Sequence, residues 1–291
     1  MSTLAKATRR SAFRRPRFGF HNRRSRALWA VILCLLFFAG LILLAASLGE
    51  SGLETNLGAR RLAPSWAYPF GTDWLGRDML TRTVQGLVRS LGIGLLAAGA
   101  SSVIAVTLGI ISATFGPRTD AAVTWLVDLV MAMPHLVLLI LVSFMLGGGA
   151  GGVILAVAVS HWPRLARVVR AEVLQLKSAD YVLLAARFGQ SPLAIARKHM
   201  LPHLLPQFLV GTLLLFPHAI LHAAGLTFLG FGLSPHQPSI GILLAEAMRH
   251  ISTGYWWLAV IPGVALIFTV KAFDLLGNNL RTLLAPRTSQ E

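Results

Sequence analysis

The side chains here with the most chemistry to offer are histidines and acids set within long apolar runs. His218 and His222 stand four residues apart, so on a helix both imidazoles share one face and present two nitrogen ligands to a metal ion. Pro217 beside them can kink that helix and expose carbonyls. His135, next to Pro134, can add a further group. If these runs cross a bilayer, each ionisable group costs about 2.5–3.5 kcal/mol at its centre, which makes every one a pathway candidate. His218, His222, His135 and Asp128 are therefore candidates for lining a substrate pathway, with His218 and His222 as the candidate metal ligands. The structural alternatives are a histidine pair bonded between helices and an Asp128 that serves packing or gating. Lys271 and Asp274, three residues apart, read as a neutralised pair on one helix face. His199 and His203 share the four-residue spacing, but Pro202 interrupts them.

Several chemistries lack their central residues. A P-loop needs Gly before Lys-Ser or Lys-Thr, and Lys177-Ser178 follows Leu176. Neither His-Glu-x-x-His nor Gly-x-Ser-x-Gly occurs, so no metalloprotease or α/β-hydrolase is read here. The single Cys34 makes neither an internal disulfide nor a cysteine metal cluster. The reading is not an enzyme, and no cofactor is expected on this chain.

The elements that must position these residues are helices in lipid. Apolar residues make up 55% of the 291, charged ones only 13%, a composition far from that of soluble domains. A chain in hydrocarbon satisfies its backbone internally, and the runs are too long and unalternating for barrel strands, so the class is all-α and polytopic. Clear spans are 28–48, 91–115, 121–146 and 204–230, each near or above the roughly 20 residues a bilayer needs. Shorter runs at 150–163 and 256–270 extend past Arg164 and to Leu276, which makes six transmembrane helices.

The charge pattern orients them. The formal charge is +15, and nine of the 26 basic residues precede the first apolar run. Nucleic acid is a possible partner for such charge, yet it fits a topology signal better, because Lys and Arg gather on the cytoplasmic side. A secretory signal peptide is the competing reading for 28–48, but the run exceeds a usual h-region. Six spans with a cytoplasmic N-terminus put Arg118, the Arg164–Lys198 cluster, Arg281 and Arg287 inside as well. The organisation expected is a basic cytoplasmic tail (1–27), a first transmembrane helix with periplasmic connector (28–89), a five-helix core (90–282) and a C-terminal cytoplasmic tail (283–291). Gly147 to Gly152 form a tight outer hairpin, and 49–89 and 231–255 the larger outer connections.

Between the fourth and fifth spans, residues 180–202 are too charged to cross lipid. Asp180 can cap a helix over Tyr181 to Phe188, ended by Gly189 as a left-handed residue. Ser191 can cap a second helix with Pro192 at its first position, running towards Met200 before Pro202. Leu183, Leu184, Ile195 and Leu201 supply apolar surface and Arg187, Arg197 and Lys198 charge. That suits either a helix laid in a partner's groove or an amphipathic segment on anionic lipid.

The stretch YVLLAARFGQSPLAIARKHMLP resembles the EAA loop of ABC-importer permeases, whose Glu-Ala-Ala triplet, Gly and terminal Leu-Pro define a coupling helix. Gly189, Leu201 and Pro202 keep the spacing. Leu183, Leu184 and Ala185 fill the triplet without its Glu, and His199 sits at the usual Ile position. Pro69 to Asp78 (PFGTDWLGRD), followed by Arg82, Gly86, Arg89, Ser90 and Leu91, resemble the signature of the second permease in dipeptide, oligopeptide and nickel importers. So do Leu226 to Gly232 with Pro238, Ser239 and Gly241, although Ile240 replaces a Trp, and Asp128 with Pro134 in the third span.

The resemblance covers nearly everything after residue 66 and implies a type I ABC-importer permease fold in a bacterial inner membrane. Its partners would be two ABC ATPase subunits carrying ATP and Mg²⁺, a second homologous permease and a periplasmic binding protein, with no nucleic acid. The ATPase-docking residues would be Tyr181, Leu183, Leu184, Ala185, Arg187, Gly189, Ile195, His199, Leu201 and Pro202. ATP-driven closure of the ATPases would drag 180–202 and switch the bundle between inward-open and outward-open. Cargo is nickel or a metal chelate, towards which the histidines and Ile240 lean, or a di- or oligopeptide. The rival reading is a stand-alone secondary transporter or channel using Asp128 and the histidines.

Overall fold

A computed structural model describes residues 23–284, and the two outermost tails lie outside it. Among the described residues every regular element is a helix, and the only β pairing is an isolated bridge between Thr72 and Asp78. Helix α1 (Arg23–Leu48) is followed by a connector, then α2 (Met79–Thr114), α3 (Pro117–Ala132), α4 (His135–Met145) and α5 (Gly149–Lys177). The short α6 (Asp180–Arg187) and α7 (Pro192–Ile195) lead into α8 (Leu201–Phe228), and α9 (Ile240–Met248) precedes α10 (Trp257–Leu284). Helices α1, α2, α5, α8 and α10 are each long and apolar enough to cross a membrane.

The expected third span, 121–146, is not one helix. Helices α3 and α4 meet at a 98° bend, a broken span or re-entrant turn. The cause is Pro134: it has no N–H to donate, and its ring pushes Met133 out of the helical region to φ −75°, ψ 141°. Five helices are thus long and apolar enough to cross singly, and a sixth crossing exists only if the bent pair is counted as one.

Small residues let the helices approach closely. A Cβ on Gly109 of α2 would sit 2.8 Å from Val169 of α5, and one on Gly211 of α8 equally close to Leu165. In lipid, where apolar burial between helices gains little, such close packing is a main source of association. Ala97, Ala98, Leu139, Val157, Phe216 and Ile220 form one core where α2, α4, α5 and α8 meet. A second, nearer the basic loop, joins Ala105, Val106, Val169 and Leu204 to Val182, Ala185, Ile195 and Met200. Helix α1 packs on α10 through Cys34, Phe38 and Leu276, and leaves leucines such as Leu36 and Leu43 exposed to lipid.

The connections at 49–78 and 229–256 are more ordered than loops. Helix α2 begins at Met79, inside the stretch expected to be connector, because Asp78 caps it by accepting from the Leu80 and Thr81 amides. Residues 231–255 contain α9, whose Ile240, Ile242 and Leu243 are buried, with Ser239 as N-cap. The two connections are joined by charge: Arg82, 3% exposed, bonds Asp73 at 2.6 Å and Glu246 at 2.8 Å, and Arg77 bonds Asp73 at 2.6 Å.

Candidate pathway and docking face

The break at Pro134 puts His135 in the first turn of α4, where its ring meets two others. His135 lies 4.7 Å from His161 of α5 and 4.6 Å from His222 of α8, and His161 lies 5.0 Å from His222, centroid to centroid. One ligand nitrogen from each falls within 4.8 Å of the others. The His161 Nδ1 sits 3.0 Å from the Val157 carbonyl and 2.9 Å from Ser160 Oγ. The carbonyl can only accept, so Nδ1 carries the proton and Nε2 keeps its lone pair. That Nε2 is buried and has no partner. Left so, it forfeits about 1–3 kcal/mol of solvation, a deficit that a ligand removes.

These rings line a cavity of about 520 Å³ between α3, α4, α5 and α8, together with His218, Arg164, Gln207 and Arg281. Each wall carries a proline within two residues of its histidine: Pro134 by His135, Pro163 after His161, Pro217 before His218. Inside α5 and α8, Pro163 and Pro217 each delete a backbone hydrogen bond one turn back, and Pro134 sets the break before α4.

Of the residues picked from the sequence, the structure brings His135 and His222 together and leaves His218 beside them on the cavity wall. His218 lines the same cavity but stands outside the three-ring cluster that holds His222. The third member is His161, which sequence reasoning passed over although it shares the His-near-Pro signal. Asp128 does not join them. It pairs with Arg167 at 2.5 Å on an exposed surface beside a separate cavity that also holds Arg170. Lys271 makes no ion pair with Asp274, whose carboxylate instead accepts from Asn278 at 3.1 Å.

The basic loop forms the second site. Asp180 begins α6 but does not cap it: Ala179 holds the cap position without a side-chain bond, and Asp180 faces the helix dipole from the first turn. Gly189 adopts φ +78°. The Gly189 amide donates to the Ala186 carbonyl at 3.0 Å and the Gln190 amide to Ala185 at 3.1 Å, a complete Schellman closure. Ser191 caps α7 by accepting from Ala194, with Pro192 in the first turn. The second helix does not stop before Pro202. Residues Ala196–Met200 form a π-helical turn that carries α7 into α8 despite the missing proline N–H.

Tyr181, Leu183, Leu184 and Leu201 are exposed, as a docking surface needs, whereas Ala185 and Ile195 are buried and bind the loop to the lower core. Two apolar groups absent from the docking set chosen from the sequence are the most exposed: Phe188 at 82% and Leu193 at 66%, on either side of Gly189. Below the bundle, Arg170 clamps Asp120 through Nε at 2.6 Å, and Lys177 donates to the Ala113 carbonyl at 2.8 Å, fixing the ends of α2, α3 and α5 above this loop.

Residues 105–290 match the family described as binding-protein-dependent transport system inner membrane component. The dipeptide transport system permease protein DppC of Bacillus subtilis is 33% identical over 91% of this chain and 83% of its own length. The protein of that name from Haemophilus influenzae is 32% identical over 94% and 95%. In fold, the chain resembles a subunit of the MetNI methionine ABC transporter in inward-facing form, with TM-score 0.58, 18% identity, and 71% of this chain and 98% of that one covered. A kinship that spans both the cavity and the docking loop sets aside the stand-alone transporter, and this chain belongs to the family of binding-protein-dependent inner-membrane permeases, the multi-pass subunits of ABC importers.

Proposed function

We propose that this permease forms one wall of a pathway for di- or oligopeptides, and that small metal chelates of peptide type share it. The carrying observation is the cavity that combines Arg164 and Arg281, which suit a carboxylate, with Gln207 and four imidazoles in an otherwise apolar wall. The relatives described above are named for dipeptides, which puts peptide ahead of free nickel, whose support is the histidines alone.

The open side of this cavity is completed by a second, homologous permease. A binding protein delivers cargo to the outer face built from the connector and α9. Two ATPases, which bind ATP and Mg²⁺, dock on α6 and α7, and both chain termini lie on that cytoplasmic side. Phe188 and Leu193 enter the ATPase groove, with Arg187, Arg197 and Lys198 around them. Because Val182, Ala185, Ile195 and Met200 are packed into the lower core, movement of the docked loop passes to α2, α5 and α8 as a rigid-body shift. The proline-weakened walls absorb the change.

The test is uptake of a labelled dipeptide and of radioactive nickel by a strain lacking this chain, restored with the native chain or with Arg164→Ala. Loss of a charge-assisted bond of about 1.4 kcal/mol predicts roughly tenfold weaker dipeptide uptake in the variant. Dipeptide uptake that does not depend on this chain would sink the cargo assignment.

A further inference from the structure

The three rings of His135, His161 and His222 come from helices α4, α5 and α8, and no acid joins them in the cavity wall. Three neutral imidazoles are the ligand set of a borderline divalent transition metal such as Ni²⁺, Cu²⁺ or Zn²⁺. The polar surroundings of His161 are arranged as they are for a metal ligand. Its Nδ1–H donates to the Val157 carbonyl, which fixes the tautomer and turns the free Nε2 lone pair away from its own helix, the outer-shell contact typical of metal-bound histidine. That Nε2 is buried with no bonding partner.

We infer that His135, His161 and His222 form a binding site for one divalent transition-metal ion, held by three imidazole nitrogens with its remaining coordination positions open to the cavity. Metal–nitrogen bonds of about 2.0–2.1 Å place tetrahedral ligands about 3.3 Å apart. The nitrogens already lie within 4.8 Å of one another, so side-chain rotation and a small closure of α4 onto α5 and α8 complete the set.

Three neutral ligands do not offset the ion's two charges, and Arg164 and Arg281 add positive charge to the same cavity. The site therefore takes the metal together with an anionic chelator. A peptide fits: its amine and first carbonyl or amide nitrogen fill the open positions, and its carboxylate meets the arginines. The metal ion is thus a recognition element for peptide within the pathway, and this rests on the peptide-pathway reading above. The site also differs from a His218–His222 pair: His218 lies one turn away on the cavity wall, outside the cluster.

The experiment uses the whole purified complex in nanodiscs, titrated with Ni²⁺ or Zn²⁺ alone and then with a dipeptide present. Expected is one saturable site per copy of this chain, weakened at least tenfold by His161→Gln and by His222→Gln, changed less than about twofold by His218→Gln, and tightened by dipeptide. Absence of saturable binding, or loss on His218→Gln with retention on His161→Gln, overturns the proposal. Should the histidine variants fail to assemble, Cu²⁺ bound to the native complex decides by electron paramagnetic resonance: three imidazole nitrogens support the site, and fewer reject it. The two readings fail separately. Dipeptide uptake undiminished by a chelator, with no metal bound, rejects the metal site and leaves the peptide pathway standing. Metal binding without any dipeptide uptake rejects the peptide pathway.

Discussion

At the scale of single residues, Arg82 carries the largest electrostatic obligation. Asp73 is fully buried and depends on Arg82 and Arg77, while Arg82 also reaches Glu246 of α9. Removing one partner of a buried pair leaves an uncompensated charge, so Arg82→Ala is expected to cost about 3–5 kcal/mol. A thermal melt in detergent measures this; a loss under about 1 kcal/mol would show that the network is not structural. The exposed Arg167–Asp128 pair, by contrast, contributes roughly 0–1 kcal/mol, and Asp128→Asn should leave the melt nearly unchanged. The Asp73 cluster was visible in the sequence only as a family signature. Its fourth member, Glu246, is 164 residues from Arg82, and no local pattern links them.

At the scale of elements, the 180–202 loop is held by its ends. Gly189 at φ +78° closes α6, and a side chain there has no steric obstacle but does meet backbone strain. Gly189→Val is expected to cost about 1–2 kcal/mol locally and to reduce ATPase co-purification, while the bundle's own melt stays in place. Replacing Phe188 and Leu193 by Asp keeps the backbone and removes the proposed anchors; co-purification should then fall at least about tenfold, the usual scale for hot-spot side chains. Undiminished association would reject docking through this loop. The caps at Ser191 and Gly189 were readable in advance, because turn chemistry is local. Continuity through Pro202 was not: a π-helical turn replaces the usual hydrogen-bond register, and only the packing of Met200 and Leu204 into the lower core makes that worthwhile.

At the scale of the whole molecule, the proposed topology makes opposite faces of the connector and the coupling loop. Trp66 is fully exposed in the outer connector and Phe188 nearly so in the basic loop. In a Cys34→Ser background, a cysteine at Trp66 should react with an impermeant maleimide in intact cells depleted of the outer membrane, and one at Phe188 only after permeabilisation. Labelling of both from the same side would refute the assigned orientation. The same topology places the Arg82 network outside and the docking loop inside, with the histidine cavity between them.

Composition and span length fix the class and a count of five to six crossings, because hydrocarbon imposes those constraints on each segment alone. The Ser191 cap and the left-handed Gly189 likewise follow from residues within one turn of each other. The tertiary structure decided what depends on which helix faces which: the 98° break at Pro134, the meeting of His161 with His135 and His222, and the place of Asp128 and His218 outside that three-ring cluster. Four-residue spacing can place His218 and His222 on one helix face, but only the packing of α4, α5 and α8 selects which rings meet across the cavity.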